Sequence, residues 1–140
     1  LTMKCGLFDA LTGRFADGVR LSDVPEGDHR LRSILGNLGR LFNTRRGSLP
    51  HVPEFGLPDI TDVSRAAPAE VESIRRAIRE AVERFEPRLR RVRVDQDVSD
   101  ASSPYLVFLL SAEIAQLGRV QFQTTIRTDD LVEVRQKRAR

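Results

Sequence analysis

Three places in the sequence hold residue types that chemistry could use. The first is Glu86-Pro87-Arg88, a carboxylate, a ring and a guanidinium side by side within RFEPRLRRV. Proline fixes its own φ, so the two flanking side chains leave the corner in a defined relation. Arg88 offers a planar fork that grips a carboxylate or main-chain carbonyls. Glu86 can hold that fork, or accept hydrogen bonds from a partner's amides. A helix stop with two solvated charges is the plain alternative, and the residue types alone do not choose between them.

The second place is Glu54 beside Phe55, with Asp59 or Asp62 nearby. Glycoside hydrolysis needs two carboxylates about 5–10 Å apart, one raised in pKa by an apolar pocket. A chain with 20 acidic residues offers many such pairs, so no catalytic residue is assigned. The third place is the set of soft ligands and nucleophiles. His29 and His51 stand apart across a Pro-rich stretch, and no HxxxH or CxxC spacing joins them to a metal site. Cys5 is the single cysteine, which rules out an intrachain disulfide and fits a reducing, cytoplasmic setting. No GxxxxGK[ST] phosphate loop is present. Neither a metal nor a cofactor is expected.

Charge is uneven. Residues 75–93 carry eight Arg against three Glu, and the last eight residues add four bases and one acid. Such a stripe can mean nucleic acid, an acidic protein partner or a solvated face. Single-stranded nucleic acid favours aromatics among the bases. Only Phe85 lies there, on the apolar side of its helix, so no nucleic-acid partner is expected. No apolar run is long enough to span a membrane, and LTMKCGLFDALTGRF has no signal-peptide core.

Several elements must position these residues. Residues 1–27 lack sustained periodicity and read as an extended arm, with at most a turn of helix near Leu7–Phe15. Asp28 is placed to N-cap a helix whose Leu31, Ile34, Leu35, Leu38, Leu41 and Phe42 share a face. Gly36 and Gly39 inside it mark either a close backbone approach or a weak helix. Residues 43–60 form a long loop whose Leu49, Val52, Phe55, Leu57 and Ile60 suggest that it is pinned to the body or to a partner. Pro68 opens a second helix with Val71, Ile74, Ala77, Ile78, Ala81, Val82 and Phe85 on one stripe. Pro87 stops it.

The period then changes to two. Val92, Val94 and Val98 alternate with charges, YLVFLLSA at 105–112 is apolar on both faces, and Val120, Phe122, Thr124 and Ile126 alternate with polar residues. LVEV at 131–134 reads as a continuation of that third strand past a kink. The expectation is an α+β domain over residues 28–134, two main helices on a three-stranded antiparallel sheet, with a basic tail at 135–140.

Helix, then FEPR, then a basic alternating strand resembles the phage baseplate-wedge family often labelled lysozyme-like. Within it the chain resembles the TssE subunits of type VI secretion baseplates. GLFDALTG, SILGNLGRLFNTRRGSLPHVPEFGLPDI, ERFEPRL and the closing strands carry the likeness. The two glycines of SILGNLGRL depart from the polar residues expected there. The resemblance implies a structural role and no enzyme, with a peptidoglycan-cleaving enzyme and then a nucleic-acid-binding module as the alternatives. It implies docking to the wedge subunits TssF, TssG and TssK and a share in starting the TssB–TssC sheath, in a cytoplasmic baseplate at the inner membrane. The partner-binding residues it implies are Glu86, Pro87, Arg88, Arg45, Arg46 and Phe55, with the corner's charges serving assembly more than folding.

Overall fold

The computed structural model describes residues 7–20, 22, 28–58, 67–100, 102–127 and 131–137. Among these residues three helices, α1 (Leu7–Thr12), α2 (His29–Asn43) and α3 (Pro68–Phe85), precede four strands, β1 (Leu89–Gln96), β2 (Leu106–Ile114), β3 (Gly118–Ile126) and β4 (Val132–Lys137). The strands form one antiparallel sheet in chain order, β1-β2-β3-β4.

The α+β class holds, with four strands rather than three. LVEV does not continue β3. Arg127 N–H donates to the Leu131 carbonyl at 3.0 Å, and β4 folds back so that Ile126 faces Val132 and Thr124 faces Val134. Arg135, Gln136 and Lys137, read as the start of a tail, are the end of this strand. Residues 138–140 lie outside the described residues, as do Cys5, Asp59, Ile60 and Asp62.

The helices form where apolar spacing demands. Pro68 sits in the first turn of α3, Glu70 lies near its N-terminus and Arg84 near its C-terminus, each sign matching the helix dipole. Ile74, Ile78, Ala81 and Val82 are the buried stripe. Ser33, Ile34, Leu38, Leu41 and Phe42 are the buried face of α2. Asp28 precedes α2, but its side chain makes no capping hydrogen bond. Both helices pack on the sheet face made by Val92, Val94, Phe108, Leu110, Phe122 and Ile126. β2 alternates buried and half-buried along its length, which is why it reads as apolar on both sides. Val98 falls beyond β1 and is exposed.

The two glycines of α2 part company. A Cβ on Gly36 would stand 3.0 Å from the Ala16 Cβ, whereas one on Gly39 would meet nothing. Close approach therefore accounts for the first and not the second. The segment at Gly36 is a small loop held to α2. Phe15 is buried and its ring lies 5.5 Å from His29, edge to face, and Asp17 pairs with Arg32 at 3.0 Å.

The long loop is pinned at its base rather than along its length. Arg46 N–H donates to the Leu57 carbonyl at 2.8 Å and Leu57 N–H to the Thr44 carbonyl at 2.9 Å. Leu57 is buried and Phe55 packs against the core, while Leu49 and Val52 are exposed at the loop's tip. Gly56 makes the return possible. Its φ is +117°, and a Cβ there would overlap the Thr44 carbonyl. Gly56→Ala is expected to cost about 1–3 kcal/mol from the backbone conformation alone, with the clash in addition. Urea unfolding measures the loss, and amide exchange at Arg46 and Leu57 shows whether the loop base opens first.

Thr124 lies in the core, wholly buried, and its hydroxyl has no hydrogen-bond partner among the described residues. Thr124→Val keeps the shape and removes the unsatisfied group. It is expected to stabilise the domain by about 1 kcal/mol or more, read as a shifted urea midpoint with an unchanged slope.

Candidate functional site

α3 ends at Phe85, and Glu86 has left helical angles at φ −131°, although its N–H still donates to the Val82 carbonyl. Leu89 N–H then closes a turn on the Glu86 carbonyl at 3.2 Å. Pro87, exposed at the tip, needs no acceptor because it has no N–H. The chain thus passes from helix to strand within three residues.

This turn sends the Glu86 side chain inward, where it is 0% exposed. Arg88 folds back over it. Arg88 Nε donates to Glu86 Oε1 at 2.7 Å and Nη2 to Oε2 at 2.8 Å, a parallel two-bond fork. The Arg88 amide adds a longer bond to Oε1 at 3.3 Å. From α2, Asn37 Nδ2 donates to Oε2 at 2.8 Å and to the Phe85 carbonyl at 3.2 Å. Arg88 Nη1 donates to Ser33 Oγ at 3.0 Å. Both oxygens of the carboxylate are occupied, and the guanidinium is tied to α2 as well.

The corner is therefore braced within the fold, its charges paired with each other and with α2 rather than solvated. Glu86 has no face left for foreign amides. Pro87 stays on the surface, and the Arg88 side chain keeps 20% of its area exposed. Phe55 is brought to the same corner, its ring 5.2 Å from Phe85 and edge to face. Arg84 lies over the Phe85 ring at 5.3 Å and 3.9 Å from Glu54. Arg45 and Arg46 are exposed at the base of the loop and join the corner through its backbone. Sequence reasoning missed Ser33 and Asn37. Their signal was present as two small polar residues four apart along the apolar stripe of α2.

Little here suits bond cleavage. Glu54 is exposed beside Arg84. Asp17 lines a groove along α2, and partial burial pushes its carboxyl up. The Val19 amide and the Arg32 guanidinium outweigh that and hold it below the usual value, the wrong direction for a general acid. His29 packs on Phe15 and His51 is exposed. No group of three metal-ligating side chains occurs among the described residues.

Removing one member of a buried ion pair leaves the other charge uncompensated, at a cost of about 3–5 kcal/mol. Glu86→Gln and Arg88→Ala should each lower the melting temperature by roughly 10 °C in a domain of this size. Arg88→Lys should recover only part of the loss, because an ammonium cannot reproduce the planar fork that meets both oxygens in parallel while reaching Ser33. Thermal melting of the isolated chain decides it, and parental melting in both single variants would sink the brace.

Comparison with known proteins fits this geometry. Residues 28–117, more than half of the chain, match the model of the baseplate wedge protein gp25 family. The baseplate wedge protein gp25 of Enterobacteria phage T4 is 37% identical over 67 residues. That match covers 46% of this chain and spans half the length of the phage protein. A chain of a solved type VI secretion baseplate complex superposes with a TM-score of 0.56 at 26% identity, covering 75% of this chain and all of the other. A structure from Geobacter sulfurreducens, named for a tail lysozyme, has a TM-score of 0.50 at 17% identity over 76% of this chain and 89% of its own, a likeness of fold alone. With the family model covering both helices, the brace and the first two strands, the chain belongs to the gp25 baseplate wedge family.

Proposed function

We propose that this chain is a non-enzymatic structural subunit of a type VI secretion baseplate. It docks onto other wedge subunits, of the TssF, TssG and TssK kinds, and helps to start assembly of a TssB–TssC sheath. The observation that carries this reading is the state of Glu86. A buried carboxylate with both oxygens filled by Arg88 and Asn37 holds the shape of the corner and is out of reach of a substrate. The family and the type VI baseplate neighbour supply the kind of assembly. The proposed place is a cytoplasmic baseplate held against the inner membrane by other subunits, a reading supported by the type VI baseplate neighbour.

Docking falls to what the brace leaves outside: Pro87, the exposed edge of Arg88, Phe55, and the loop-base residues Arg45 and Arg46. A desolvated interfacial charge is worth about 2–5 kcal/mol of binding, or roughly 30-fold and upward in affinity. Arg46→Glu should melt like the parent, since its side chain is exposed, and should lose co-purification with the wedge subunits. Normal melting with parental co-purification removes Arg46 from the interface. The lysozyme-like reading rests on the label often given to the family and on the name of one structural neighbour. It is tested by turbidity of purified cell walls, where the chain should stay at the buffer baseline, and reproducible clearing would restore the enzyme.

A further inference from the structure

Leu89 and Val92 are both buried, with two exposed residues between them on β1. A plain strand alternates and cannot bury both. The chain resolves this with a bulge, where the register with β2 slips between Arg90 and Arg93. Two successive arginines, Arg90 and Arg91, are then exposed. Arg91 holds its place only at φ +52°, a left-handed conformation that a long L side chain rarely adopts. Strain of this kind clusters at ligand clamps and switch regions.

The bulge builds a basic end to the sheet. In cross-strand register Arg90 faces Glu113, and Glu113 faces Arg119. Arg91 Nη1 stands 3.6 Å and Arg119 Nε 3.9 Å from the same oxygen, Glu113 Oε1. Both separations exceed a hydrogen bond. The Arg91 side chain stays 81% exposed and that of Arg119 90%. Three guanidiniums thus stand around one loosely held carboxylate. The turn between β2 and β3 completes the surface. Arg30 Nη1 donates to the Ala115 carbonyl and Nη2 to Gln116 Oε1 at 3.3 Å, which ties the turn to α2. Leu117 is left exposed at its tip.

We propose that this end of the sheet docks an acidic segment of a partner protein. Arg90, Arg91 and Arg119 take its carboxylates, and Leu117 takes an apolar side chain among them. Charge complementarity selects the class. Each guanidinium can form a planar two-bond fork with an incoming carboxylate, closer than the present contacts to Glu113. A nucleic acid carries a charge at every residue and sets one of them against Glu113. Its bases also want aromatic side chains, and Arg90, Arg91, Glu113, Leu117 and Arg119 supply none. A peptide can place a neutral residue over Glu113. The proposal goes beyond the wedge reading, whose docking residues lie on the long loop and at the Pro87 corner.

The test uses the full chain and a fluorescent synthetic peptide of about ten residues, at most about 35 Å long, glutamate with leucine at every third position. Anisotropy at low ionic strength should show binding that weakens as salt rises. Arg91→Glu with Arg119→Glu should weaken it about tenfold or more. Arg76→Glu with Arg135→Glu makes the same change of net charge at exposed sites on α3 and β4, and should leave the affinity within about twofold of the parent. Leu117→Ser should also weaken binding. Arg91→Gly separates binding from folding. Glycine accepts the positive φ, so this variant should melt at or above the parent and still lose affinity for the peptide. No binding by the parent, equal loss in both double variants, or a lower melting temperature for Arg91→Gly with parental affinity would each overturn the proposal. Tighter binding of single-stranded DNA or of phosphatidylglycerol vesicles than of the peptide also overturns it, and gives the patch to a phosphate-bearing partner.

Discussion

One buried carboxylate organises this molecule. Moving an isolated carboxylate out of water costs several kcal/mol even after the protein relaxes, so Glu86 can sit at 0% exposure only if its oxygens are filled. The fork of Arg88 does most of this, and Arg88 can reach back only because Pro87 and the Leu89 amide turn the chain within three residues. Asn37 and Ser33 complete the set from a helix some fifty positions earlier in sequence. The brace is a meeting of α2, the end of α3 and the start of β1. A hydrophobic contact would hold these elements together without fixing their rotation. Directed bonds to both carboxylate oxygens fix the rotation as well.

The rest of the site follows from that corner. Phe85 is the last helical residue before Glu86, so its ring is set by the brace and offers an edge to Phe55. Phe55 precedes Gly56, whose positive φ brings Leu57 back to Thr44. Asn43, one residue before Thr44, clips β4 through Val132. A chain of short-range constraints thus runs from the brace through the loop base to the opposite edge of the sheet. It links two clusters of sequence motif, around residues 43–57 and 84–90, that have no obvious reason to be related when read along the chain.

Much of this was legible before any coordinates. The stripe of α3 and its stop at Pro87 follow from spacing and from proline's missing N–H. The two-faced apolarity of β2 announced a central strand. Other features were hidden for definite reasons. The fourth strand was missed because Val132 and Val134 keep the alternation of Val120–Ile126, so periodicity alone cannot show the reversal between them. The loop's apolar residues all looked alike, yet Leu57 is buried while Leu49 and Val52 are exposed, a difference set by where the backbone bridge closes. The inward turn of Glu86 was open because its partners on α2 are distant in sequence. Pairing across that distance is a property of packing and leaves only a faint mark, a serine and an asparagine four residues apart on an apolar face.

An internal brace and an assembly role are compatible, and the first supports the second. Binding loses free energy to whatever must be ordered as it happens, about 0.5–1.5 kcal/mol for each long side chain immobilised. At this corner, proposed above as the docking surface, the ordering would be complete before a partner arrived. Arg88 is held by three directed side-chain bonds, Phe55 by the Phe85 ring, and the loop base by two backbone hydrogen bonds. What faces outward is then a fixed edge of guanidinium, a proline ring and an aromatic flank. Such a surface can favour one docking geometry over close alternatives. That property matters more than raw affinity in an assembly built from repeated parts, where each subunit's orientation is passed on to the next.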